Sequence, residues 1–67
     1  MDTAAKVLIE TIGSVGYAVS ITYDDNRNPV LTAIDERTRE TFIVRDEDLY
    51  LAACELAEQV GIELADG

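Results

Sequence analysis

Histidine and tryptophan are absent from these 67 residues, and cysteine, proline and methionine occur once each. Without histidine the chain lacks the side chain most often used as a general base near neutral pH. Structural zinc sites draw on several cysteines and histidines, so one thiol leaves them out of reach. Cys54, standing alone, forms no internal disulfide, and a single free thiol fits a reducing compartment. There is no nucleophile elbow and no glycine-rich phosphate loop. Cations are scarce as well: five Lys and Arg stand against 14 Asp and Glu, for a net charge of -9. That balance disfavours phosphate-rich partners and anionic lipid surfaces. Long apolar runs are also missing. Val7, Leu8 and Ile9 are followed at once by Glu10, far short of the ~20 residues a bilayer span needs. No basic head with a cleavage site marks a signal peptide. The expectation is a soluble, cytoplasmic protein without membrane association.

What is present is a folding composition. Hydrophobic residues make up 48% of the chain, too many for an acidic disordered tail. The length suits one small α+β domain over residues 1–67. A chain this short buries only ~60% of the surface its unfolded form exposes, so a supplement to stability is expected. With a disulfide and zinc excluded, that supplement is self-association as a homodimer, the alternative being an idealised monomer.

Residues 3–15 read as a helix capped by Thr3, with Ala4, Ala5, Leu8, Ile12 and Val15 along one stripe and Lys6, Glu10 and Ser14 opposite. Gly13 and Gly16 end it. Residues 17–23 alternate Tyr17, Val19, Ile21 and Tyr23 with Ala18, Ser20 and Thr22, the pattern of a half-buried strand. Turn residues fill 24–29. Strands are expected at 30–35 and 40–44, with a polar turn at 36–39 between them. Asp46, Glu47 and Asp48 crowd the start of a second helix, where carboxylates meet free amide hydrogens and the positive end of the dipole. Leu49, Ala52, Ala53, Leu56 and Val60 form its stripe, Gly61 stops it, and Ile62, Glu63 and Leu64 are expected to fold back. Short connections favour an antiparallel meander with both helices on one face. The expected core is Leu8, Ile12, Val15, Val19, Ile21, Ile34, Phe42, Val44, Leu49, Ala53, Leu56 and Val60.

That element order resembles the double-stranded-RNA-binding domain. The family grips phosphate with lysines at the start of its second helix, where this chain has Asp46, Glu47 and Asp48. The family's histidine-bearing loop has no counterpart here. The resemblance therefore implies a topology, and RNA is not an expected partner. Arg37 and Arg39 at a loop tip are too few to reverse the sign.

Most of the charge lies late in the chain. Residues 46–67 hold Asp46, Glu47, Asp48, Glu55, Glu58, Glu63 and Asp66, with no Lys or Arg. Leu51 falls off the buried stripe and shares an outer helix face with Glu47, Glu55 and Glu58, with Asp48 beside them. An apolar anchor ringed by carboxylates suits a basic, partly apolar protein partner. A solvated face with one stray leucine is the plainer alternative. Leu31 and Ile43 are expected on the outer face of the sheet, where they would suit a second copy of the chain.

Two further patterns are weaker. Asp24, Asn26, Asn28 and Asp35 match positions of a calcium loop, but Pro29 stands where the sharp turn calls for glycine. Ordinary hairpin chemistry explains the same residues. Cys54 lies among acidic neighbours, which disfavour a reactive thiolate. No catalytic residue, metal site or cofactor is expected. The expected function is a small non-catalytic interaction module that presents its second helix through Glu47, Asp48, Leu51, Glu55 and Glu58. The alternatives are a nucleic-acid mimic that inhibits a basic nucleic-acid-binding protein, and a calcium or small-ligand binder through the 24–35 loop.

Overall fold

The computed structural model describes residues 3–62. Its elements run α1 (Thr3–Ser14), β1 (Tyr17–Tyr23), β2 (Pro29–Asp35), β3 (Thr41–Arg45) and α2 (Leu49–Gln59). The strands form one antiparallel sheet in the order β1-β2-β3. Both helices lie on the same face, α1 over β1 and α2 over β2 and β3. This is the α+β arrangement expected from the alternation and the turn clusters. No described helix is long and apolar enough to cross a membrane.

α1 buries Ala5 and Ile12. Its last turn takes side-chain bonds, with Thr11 Oγ1 donating to Val7 O at 2.8 Å and Ser14 Oγ to Thr11 O at 2.7 Å. Gly16 then adopts φ +104, a conformation that disfavours any residue with a Cβ. Val15, expected in the core, is instead 55% exposed. The helix has already ended at Ser14, so Val15 leaves the helical phase that would have turned it inward.

The sheet corrects a second expectation. Leu31 and Ala33 are fully buried, while Ile34 is only half-buried. Leu31 sits between Ile21 and Val44, and Ala33 between Val19 and Phe42. Ile34 therefore faces outward with Val30 and Thr32, and Leu31 does not join Ile43 on the outer face. The strand is apolar on both faces, so its alternation alone left the phase open. Small side chains settle it: α2 buries Ala52, Ala53 and Ala57 beside Leu56, and Ala33 beneath them lets the helix come close. Tyr17 and Phe42 add an edge-to-face contact at 6.2 Å. Leu8, Val19, Ile21, Phe42, Leu49 and Val60 pack around the core as expected, though each is only partly buried.

The C-terminal end of α2 closes with two reversed bonds. Gly61 N–H donates to Glu58 O at 3.1 Å and Ile62 N–H to Ala57 O at 2.9 Å, with Gly61 at φ +85. This is the Schellman pattern, completed by Ile62 against the core. The expected return of Glu63 and Leu64 lies outside the described residues.

Candidate functional site on the second helix

Two aspartates build the entry to α2. Asp46 Oδ1 accepts Asp48 N–H at 3.2 Å. Asp48 is the N-cap, with extended backbone (φ -118, ψ 127) and Oδ1 accepting Tyr50 N–H at 2.8 Å. An N-cap carboxylate satisfies a backbone donor that the helix cannot reach. Asp46 and Asp48 are thus committed to starting the helix. Glu47 is exposed and lies just before the helical residues.

Beyond the cap, Leu51, Glu55 and Glu58 share the outer face of α2, at the spacings of four and seven that bring helical positions together. Leu51 is 50% exposed and Tyr50 beside it 39%, while Glu55 and Glu58 are exposed. Cys54 is half-buried between this face and the core. Among the described residues the ion pairs are Arg37 with Asp35 and Arg45 with Asp24. Neither touches α2, so Glu47, Glu55 and Glu58 have no cationic partner there. Nor does the last turn of the helix carry a basic residue. Glu58 therefore meets the negative end of the helix dipole uncompensated.

The calcium-like residues are placed differently. Asp24 Oδ1 accepts Asn26 N–H at 2.9 Å and Asn28 N–H at 2.8 Å, and Oδ2 takes Asn28 Nδ2 and Arg45 Nε, each at 3.4 Å. The Asn28 N–H bond is the main cause holding the Asp24 carboxyl below its ordinary range. Partial desolvation opposes it, and Asn26 and Arg45 assist. Asp35 repeats the device, with Oδ1 accepting Arg37 N–H at 2.8 Å and Thr38 N–H at 3.3 Å. The Arg37 bond is the first cause of its lowered pKa. β2 separates the two carboxylates: Asp24 precedes one end and Asp35 closes the other, about 20 Å apart for an extended strand of this length. The loop thus binds its own donors, and Asp35 is not brought to it. Among the described residues no group of three Asp, Glu or Cys is disposed to hold a metal ion.

The sequence pattern located the Leu51 face but did not separate its acids by role. Asp48 serves the backbone, whereas the side chains of Glu55 and Glu58 have no ion-pair partner among the described residues. Comparison with family models, with curated proteins and with solved structures found no match.

Proposed function

We propose that this protein is a small, non-catalytic interaction module that presents α2 to a basic protein partner, with Leu51 as the apolar anchor and Glu47, Glu55 and Glu58 around it. The observation carrying this reading is that those glutamates have no ion-pair partner among the described residues. Glu58 at the negative end of α2, with no basic residue in its turn and no ion pair among the described residues, works against the helix that bears it. A local rule broken without internal compensation is expected where a surface serves another molecule. A cationic partner would supply the missing charge, and half-exposed Leu51 would give it an apolar contact to desolvate. Cytoplasmic location accords with the single free thiol.

The test is capture of binding proteins from the native cell by the tagged chain, at low and high salt. It is repeated with Leu51→Asp, with Glu55→Lys/Glu58→Lys, and with Ile43→Asp on the opposite face. A basic protein retained by wild type and Ile43→Asp, but lost with both α2 variants, supports the reading. If the α2 variants keep every partner, the reading fails. A target released by competing nucleic acid would shift the assignment to mimicry, where affinity falls most steeply with salt. Melting raised by calcium would move it to the 24–35 loop.

A further inference from the structure

β1 is an edge strand, since the sheet runs β1-β2-β3, and its pairing with β2 determines which backbone groups stay open. Asp24 N–H donates to Asn28 O and Glu36 N–H to Gly16 O, two bonds in phase with the β1–β2 register. Antiparallel ladders alternate between residues that exchange both bonds and residues that exchange none. Ala18, Ser20 and Thr22 therefore bond to β2, while the N–H and C=O groups of Tyr17, Val19, Ile21 and Tyr23 point away from it. Among the described residues no backbone bond outside the sheet uses those four.

An open edge is a template for another strand, and proteins guard it with charge, proline, a bulge or short length. β1 has none of these. Its seven residues read Tyr-Ala-Val-Ser-Ile-Thr-Tyr, and its register runs unbroken from Tyr17 opposite Asp35 to Tyr23 opposite Pro29. It lies within residues 11–23, the longest uncharged stretch of a chain whose net charge is -9. The opposite edge, β3, is shorter, ends in Arg45 and follows Glu40.

We propose that β1 pairs with β1 of a second copy, antiparallel across a two-fold axis at Ser20, joining the two three-stranded sheets into one. This rests on the open edge alone and does not depend on the role of α2. With the axis at Ser20, Tyr17 meets the partner's Tyr23 and Val19 meets the partner's Ile21, so residues with open backbone groups face one another along the whole strand. Tyr23, 61% exposed, gains a neighbouring ring. Charge selects this edge as well. Two acidic chains repel, and the residues that pair across this edge, Tyr17–Tyr23, carry no carboxylate. α2 lies over β2 and β3, so its acids stay on the side away from the axis. α1, the helix over β1, carries the exposed Val7 and Val15. A basic protein would find no carboxylate to pair with along this strand, whereas a second copy matches it residue for residue.

The test uses Ser20, which is exposed on the outer face and tolerates a charge without disturbing the core. Across the axis Ser20 and its equivalent form a non-hydrogen-bonded pair with Cα atoms ~4.5 Å apart, so two lysines or two glutamates there repel. Sedimentation should give the mass of two chains for wild type and of one for Ser20→Lys or Ser20→Glu alone. Mixing those two variants should restore the two-chain mass, and Ile43→Lys should leave it intact. Amide hydrogen exchange should show Val19 and Ile21 protected in wild type and unprotected in Ser20→Lys. A single-chain wild type with unprotected Val19 and Ile21 overturns the proposal. So does a dimer that survives Ser20→Lys, or one lost with Ile43→Lys, which would place the contact on the sheet face. Protected amides in a single chain would also overturn it, because another segment of the same chain would then hold the edge.

Discussion

Asp24 and Asp35 each open a hairpin loop and turn a carboxylate oxygen back onto the N–H groups that follow. Each loop is then closed by an arginine in the left-handed region, Arg27 at φ 63 and Arg39 at φ 67. Residues other than glycine enter that region at a cost, so the carboxylate bonds matter to loops that carry strain. Both carboxyls are held below their ordinary value of 3.8, chiefly by the N–H of Asn28 for Asp24 and of Arg37 for Asp35. A depressed folded pKa means the contribution is complete above the unfolded value and is lost as pH falls through the folded one. Asp24→Asn should therefore be less stable than wild type at neutral pH, yet lose less between about pH 5 and pH 2. Melting curves across that range check this, with Asp25→Asn as a control outside the hydrogen-bond set. Equal acid slopes in wild type and Asp24→Asn would remove Asp24 from the account. The cap on α2 gives a second outcome at this scale. Asp48→Ala should destabilise the protein by ~1 kcal/mol, lowering the melting temperature by about 4–8 °C for a chain of this size.

Single elements behave differently according to how decisive their patterns are. β1 alternates apolar and small polar residues and was legible from sequence, as were both helices and the Gly61 exit. β2 was legible as a strand but not in phase, because Val30 and Ile34 read as apolar as Leu31 and Ala33. Only pairing with both neighbours, under a helix lined with alanine, chooses the face. The phase has a direct check in denaturant unfolding. Leu31→Ala should cost ~2–5 kcal/mol, as a fully buried leucine does, whereas half-buried Ile34→Ala should cost less than half as much. Comparable losses would mean the strand is turned the other way. The whole stability of a chain this length is only about 3–10 kcal/mol, so Leu31→Ala approaches complete unfolding. The α2 face was legible as an acidic surface with one leucine, because helical spacing places Leu51, Glu55 and Glu58 together whatever the tertiary fold. Which acids are committed was not legible, because that depends on where the cap falls. Glu58→Lys separates stability from binding on this element. Reversing the sign at the negative end of the dipole should stabilise the protein by ~0.3–1 kcal/mol while weakening capture of a basic partner. A loss of stability would show that Glu58 has an internal role.

Across the whole molecule, charge and its absence occupy different regions. Asp46, Glu47 and Asp48 lead into α2 and Glu55 and Glu58 lie on it, whereas the outward side chains of β1 and β2 (Ala18, Ser20, Thr22, Val30, Thr32 and Ile34) carry no charge. The described residues span 32 × 31 × 16 Å, a size comparable with the ~30 Å screening length at 0.01 M salt and far above the ~3 Å at 1 M. At low salt each carboxylate therefore feels all the others, and at high salt only its neighbours. The attractions that salt would weaken are few: the described ion pairs have arginines exposed by 89% and 66%, and pairs of that kind contribute about 0–1 kcal/mol each. Repulsion dominates, so sodium chloride should raise the melting temperature, and a fall would show that attraction governs the fold. The same screening acts with opposite signs at the two proposed contacts. An acidic helix docked on a basic protein loses its main long-range attraction. Two copies meeting along an uncharged β1 lose only the repulsion between their acids. Raising salt should thus release the α2 partner while strengthening self-association. Measuring both on the same protein over one salt series shows whether these are two interfaces, since a single shared surface would have to respond with one sign.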